Sequence, residues 1–169
     1  MIVVYLFTCL LVLLLGVILY NTFNLRSQQY DVCVDQSVDI GDAAVDNLSQ
    51  AIRYKTISQV NGTLPNEKVF LEFHEYLNQT YPLITNHLQK NTISEFSLLY
   101  KWEGSKPELK PLLLLAHMDV VPVDISTEAE WKYKPFDGEV NDGIIWGRGT
   151  LDNKMSLIAI MEATELLLR

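Results

Sequence analysis

The run Leu112-Leu113-Leu114-Leu115, leading into Ala116, His117, Met118 and Asp119, constrains this chain more than any other stretch. Four consecutive leucines behind Pro111 predict a fully buried β-strand over residues 111–117. Side chains two apart on a strand face the same way, so His117 and Asp119 become neighbours at its C-terminal end. Further on, the turn Gly147-Arg148-Gly149 brings Asp152 to the head of an apolar helix. One histidine and two carboxylates at strand ends suit a zinc site, in which a second group orients the ligating imidazole. Each residue also has a plainer reading: a lone histidine at His117 is commonly a satisfied core residue, and aspartate at Asp152 is a favoured helix N-cap.

The rest of the sequence reads as alternating helices and strands. Ala44, Val45, Leu48 and Ile52 form one face of a helix over residues 41–54. Residues 61–65 form a loop. A second helix starts near Pro65, carries the stripe Val69, Phe70, Phe73 and Leu77, and is stopped by Tyr81-Pro82. Residues 92–102 read as a strand, 103–111 as a turn, 124–134 as a polar loop holding Trp131, and 143–146 as a short strand. From Asp152 the chain reads as helix, with Glu162, Glu165 and Arg169 on a polar face. Asp137 and Asp142, beside Gly138 and Gly143, are turn residues, and His74 and His87 read as surface histidines. This alternation predicts an α/β three-layer sandwich with a mixed, mostly parallel central sheet, whose sites lie at the carboxyl ends of its strands.

Residues 2–20 are almost wholly apolar and long enough to span a bilayer. No basic residue precedes them and no small-x-small site follows, which favours an uncleaved anchor over residues 1–22; a cleaved signal sequence, with secretion, is the alternative. Residues 23–40 read as a linker. Arg26 alone argues weakly for a cytosolic flank. Three sequons, at Asn47, Asn61 and Asn78, argue for a lumenal or extracellular domain with those asparagines exposed. Of two cysteines, Cys9 lies in the apolar run, so Cys33 has no partner for a disulfide. A net charge of −8 argues against nucleic acid as a partner.

The phrases HMDVVP at 117–122 and PFDGEVNDGIIWGRGTLDNK at 135–154, with AIRYKTIS at 51–58, resemble the co-catalytic zinc peptidases. That family includes aminoacylase, glutamate carboxypeptidase and carboxypeptidase S; the wording is most similar to its carboxypeptidase S and N-fatty-acyl-amino-acid synthase/hydrolase branch. The resemblance implies two zinc ions, with His117 a ligand of one, Asp152 bridging both, Asp119 a catalytic residue that tunes His117, and a cis peptide at Asp152–Asn153. It also implies hydrolysis of an N-acyl amino acid or of a peptide at its C-terminal residue. A paired-glutamate general base, further ligands and a lid or dimerisation domain would follow Arg169, so residues 41–169 read as the N-terminal part of a catalytic domain. The implied partners are the substrate, the membrane and, at full length, a second copy. A non-catalytic product that binds full-length subunits or acts as a decoy is the alternative.

Overall fold

A computed structural model describes residues 1–26, 41–58 and 66–169, in two compact units, Met1–Val38 and Asp39–Arg169. In the first, helix α1 (Ile2–Phe23) has no buried side chain. Its 22 residues span about 33 Å at the α-helical rise. Thr8 Oγ1 and Thr22 Oγ1 donate to the carbonyls of Val4 and Ile18, at 2.9 and 2.8 Å, so both hydroxyls are satisfied inside the helix. It is long and apolar enough to cross a membrane, a property that a signal sequence shares.

The second unit contains α2 (Gly41–Arg53), α3 (Glu67–Thr80), α4 (Pro82–His87), the hairpin β1 (Gln89–Ile93) and β2 (Ser97–Lys101), the hairpin β3 (Glu139–Asn141) and β4 (Ile144–Trp146), and α5 (Met155–Leu167). Leu48, Ala51 and Ile52 of α2, Phe73 and Leu77 of α3, Ile84 of α4, and Ile158 and Met161 of α5 meet in one core around Tyr81. Of the stripes the apolar spacing predicted, Leu48 and Ile52 of α2 and Phe73 and Leu77 of α3 reach this core, Ala44 and Phe70 are buried beside it, Val45 and Val69 are only half-buried, and Ala51 joins it from outside the expected stripe. Pro65, Asn61 and the loop they bound lie outside the described residues, as does Cys33 and residues 27–40 of the expected linker.

Several expectations are corrected. Residues 92–102 are not one strand: positive φ at Ser94 (49°) and Glu95 (71°) fold the segment into the β1–β2 hairpin. Residues 111–117 are not a strand either, and Leu112 to Leu115 are 83, 68, 55 and 77% exposed. Among the described residues both sheets are two-stranded and antiparallel, and the parallel pairing is a single bridge between Ile57 and Val120. Without a neighbour to complete a hydrogen-bond ladder, an extended leucine run is not held as sheet, however apolar it is.

His74 is buried, not superficial; its Nε2 lies 3.0 Å from the carbonyl of Phe96, which ties α3 to the turn of the first hairpin. Burial lowers its pKa. His87 is exposed, as expected. The polar face of the last helix also turns inward. Glu162 Oε1 accepts from Asn47 Nδ2 at 2.6 Å and from the Tyr81 hydroxyl at 2.9 Å. Asn47 is therefore half-buried and engaged, contrary to the exposure expected of a sequon asparagine. Asn78 is also half-buried, and its Oδ1 accepts from Lys90 Nζ at 2.8 Å.

Glu165 is buried, and its two oxygens accept from the backbone N–H groups of Leu83 and Ile84, each at 2.9 Å. It thus satisfies two donors of the first turn of α4, where a helix has no acceptors of its own. Glu165→Ala leaves those two N–H groups buried without partners and is expected to cost about 2–4 kcal/mol. Urea unfolding checks this; an unchanged midpoint would show that α4 does not depend on the carboxylate.

Candidate metal centre

Three short segments build the site. Residues 56–58, just beyond α2, run beside Met118–Val120: Val120 N donates to Thr56 O at 2.8 Å, and Ser58 N to Val120 O at 3.0 Å. Thr56, fully buried, sends its hydroxyl to Met118 O at 2.5 Å. These bonds fix the backbone that carries His117 and Asp119, even though the leucines before it are unpaired.

The third segment is the glycine turn and its exit. Gly149 has φ of 85°, and a Cβ there would collide with the Val120 side chain, so the turn can pack against the His117 segment only as glycine. Asp152 then has extended dihedrals (φ −123°, ψ 88°), and its peptide bond to Asn153 is cis, as the resemblance implied. Helix α5 begins at Met155, so Asp152 is not its N-cap.

Its carboxylate instead meets the imidazole: Asp152 Oδ1 lies 2.9 Å from His117 Nε2. On the other side of the ring, Nδ1 lies 3.0 Å from Asp119 O and 3.2 Å from Asp119 Oδ1. The structure thus brings together all three residues singled out in the sequence, with the two aspartates on opposite nitrogens. Burial lowers the His117 pKa, but the bonds to Asp152 and the Asp119 carbonyl and the two carboxylate charges outweigh it, and the net shift is upward.

Three further residues were not assigned roles by sequence reasoning. Ser58 Oγ donates to Asp119 Oδ2 at 2.6 Å. Lys154 is fully buried, and its ammonium donates to Ala51 O at 2.8 Å and Tyr54 O at 2.6 Å, tying the Asp152 exit to the end of α2. Arg148 stacks on Trp131, with 5.4 Å from the guanidinium to the ring centre. The only signal for Ser58 and Lys154 was their place inside the quoted phrases. His117, Asp119, Asp152, Trp131 and Arg148 all line one open cleft of about 470 Å³, walled by Val120, Val121, Ile144 and Leu151.

The donor set fits zinc in kind: an imidazole nitrogen faces a carboxylate oxygen, and the other ring nitrogen is held by acceptors, the arrangement that orients metal-bound histidines. Asp119 sits on the far side of the ring from Asp152, so only His117 and Asp152 face a common point. Among the described residues no group of three or more His, Cys, Asp or Glu side chains converges as a ready-made cage.

Residues 113–169 match the model of peptidase family M20/M25/M40. The M20 match contains His117, Asp119 and Asp152. The chain is similar to carboxypeptidase S of Saccharomyces cerevisiae, 44% identical over 75% of this chain and 23% of the relative. It is also similar to the probable carboxypeptidase S-like 2 of Dictyostelium discoideum, 38% identical over 92% of this chain and 32% of the relative. Human N-fatty-acyl-amino acid synthase/hydrolase is 41% identical over 72% of this chain and 24% of the relative. Family and branch agree with the resemblance carried by the motifs. The chain spans only about a quarter to a third of the length of these relatives.

Proposed function

We propose that this chain is the N-terminal, metal-holding part of a membrane-anchored zinc peptidase or amidohydrolase that cleaves N-acyl amino acids or peptides at a C-terminal residue. The observation that carries the proposal is the 2.9 Å approach of His117 Nε2 to Asp152 Oδ1 at the cleft, inside the segment matched to the M20 family. His117 and Asp152 would hold the metal, with Asp152 shared between two ions. Bound zinc supplies a water acidified to neutral pKa and a Lewis acid for the amide carbonyl. Asp119 keeps the Nδ1 face of His117 occupied, so that Nε2 is the nitrogen presented to the metal. The apolar wall and the Trp131–Arg148 stack would receive the substrate's acyl or side-chain portion.

In this proposal α1 is an uncleaved anchor, residues 23–40 a spacer, and residues 41–169 part of a catalytic domain facing the lumen or the exterior. The exposed leucines 112–115 become a central strand of a three-layer sandwich once further strands cover them, since a contiguous apolar patch of that kind marks a buried contact.

Among the described residues no glutamate lines the cleft, and Asp119 and Asp152 are both engaged with His117, which leaves no described carboxylate free there to act as general base. The chain alone, loaded with zinc, is expected not to release amino acid from N-acyl amino acids or from peptides. A longer protein carrying this segment is expected to do so, and to lose turnover with Asp152→Ala. Absence of hydrolysis by the longer protein on both substrate classes would refute the proposal.

A further inference from the structure

We infer that Ser58 is a positioning residue for the metal centre, acting on the His117 imidazole through Asp119. The inference rests on the zinc role proposed for His117 and Asp152. Ser58 Oγ lies 2.6 Å from Asp119 Oδ2 and 3.3 Å from Val120 O. A hydroxyl has one proton, and 2.6 Å is the length of a charge-assisted O–H···O⁻ bond, so that proton goes to the carboxylate.

The rest of the connection is geometric. Asp119 Oδ1, the oxygen Ser58 does not use, is the one beside His117 Nδ1, at 3.2 Å. The Asp119 side chain is 43% exposed, so little packing fixes its rotation. Ser58 itself is fixed: its N–H is bonded to Val120 O, and the adjacent Ile57 bridges Val120. The serine thus clamps one oxygen from a rigid backbone, and the clamp sets where the other oxygen stands. Without it the carboxylate is free to rotate into water, and Nδ1 keeps only the backbone carbonyl of Asp119 at 3.0 Å. The imidazole then loses the contact that holds it turned toward Asp152.

The test compares Ser58→Ala, Ser58→Cys and Ser58→Thr in a longer protein carrying this segment, by competitive zinc titration and by long-range proton–nitrogen NMR of the histidine rings without metal. Groups that support a metal-bound histidine typically contribute about 10- to 100-fold in affinity. Ser58→Ala is expected to weaken zinc within that range and to shift the His117 ring nitrogens. Ser58→Cys keeps the volume with a poor donor and should weaken binding as well, which covers the case in which the alanine variant does not fold. Ser58→Thr keeps the hydroxyl and should restore both readouts. In a double-mutant cycle, Ser58→Ala added to Asp119→Asn should cost nothing more, because the two act in series.

Wild-type affinity in the alanine and cysteine variants, with unchanged ring signals, would overturn the inference while leaving the zinc reading intact. Fully additive losses in the cycle would also overturn it. A wild-type chain that binds no zinc would instead overturn the zinc reading, and the inference with it.

Discussion

Lys154→Ala is expected to destabilise the second unit by about 2–4 kcal/mol, from lost packing and the loss of two hydrogen bonds from its ammonium. The side chain is fully buried, and its Nζ lies 4.9 Å from the centre of the Phe73 ring. The carbonyls it reaches, Ala51 O and Tyr54 O, lie at and just beyond the end of α2, where each also accepts one backbone N–H, from Tyr54 and Thr56. Burial pushes the Lys154 pKa down to about 7, while its two acceptors and the aromatic face favour the charged form. Because the folded pKa is below the ordinary 10.5, the unfolded chain holds more protons between those values. Stability therefore rises with pH from about 7 toward 10.5 in the wild type, and a neutral amine still donates to both carbonyls. The alanine variant should lack that slope. Urea unfolding followed by tryptophan fluorescence at neutral and alkaline pH measures both effects; a wild-type midpoint in the variant would contradict them.

His117→Ala is expected to weaken zinc binding by more than about 100-fold, since loss of a group that merely supports a ligand already costs up to that much. Zinc requires the unprotonated ring nitrogen, so protons compete for it. The His117 pKa is raised, because Asp152 and Asp119 outweigh the opposing effect of burial. Wild-type affinity should be level above that raised pKa and should fall about tenfold for each pH unit below it. The alanine variant has no such step, because its imidazole is gone.

The parts of this account that were legible in the sequence are those governed by local rules. Apolar spacing located α2 and α3, and Gly149 marked a turn that only glycine can make against Val120. The i, i+2 spacing placed His117 and Asp119 side by side even though the segment is not regular strand, because extended backbone alternates its side chains with or without a ladder. What the sequence hid depends on partners far away in the chain. Glu165 reads as solvent-facing until α4 supplies two N–H groups for it. His74 reads likewise until the hairpin turn covers it. Lys154 is charged and yet belongs to the core, because it ends between two carbonyls about a hundred residues earlier. The leucine run shows the reverse. Apolar composition says that a segment should be covered, and leaves open what covers it.

The most direct test of the central claim is calorimetric titration of zinc into a longer protein carrying this segment, at pH above the His117 transition, with three variants in parallel. The account predicts a stoichiometric site in the wild type. That site should be lost in both His117→Ala and Asp152→Ala and kept in His87→Ala, whose ring is exposed and occupied by the carbonyl of Leu83 at 2.9 Å. Stoichiometric zinc retained by both His117→Ala and Asp152→Ala would contradict it, and would place the metal elsewhere in the chain.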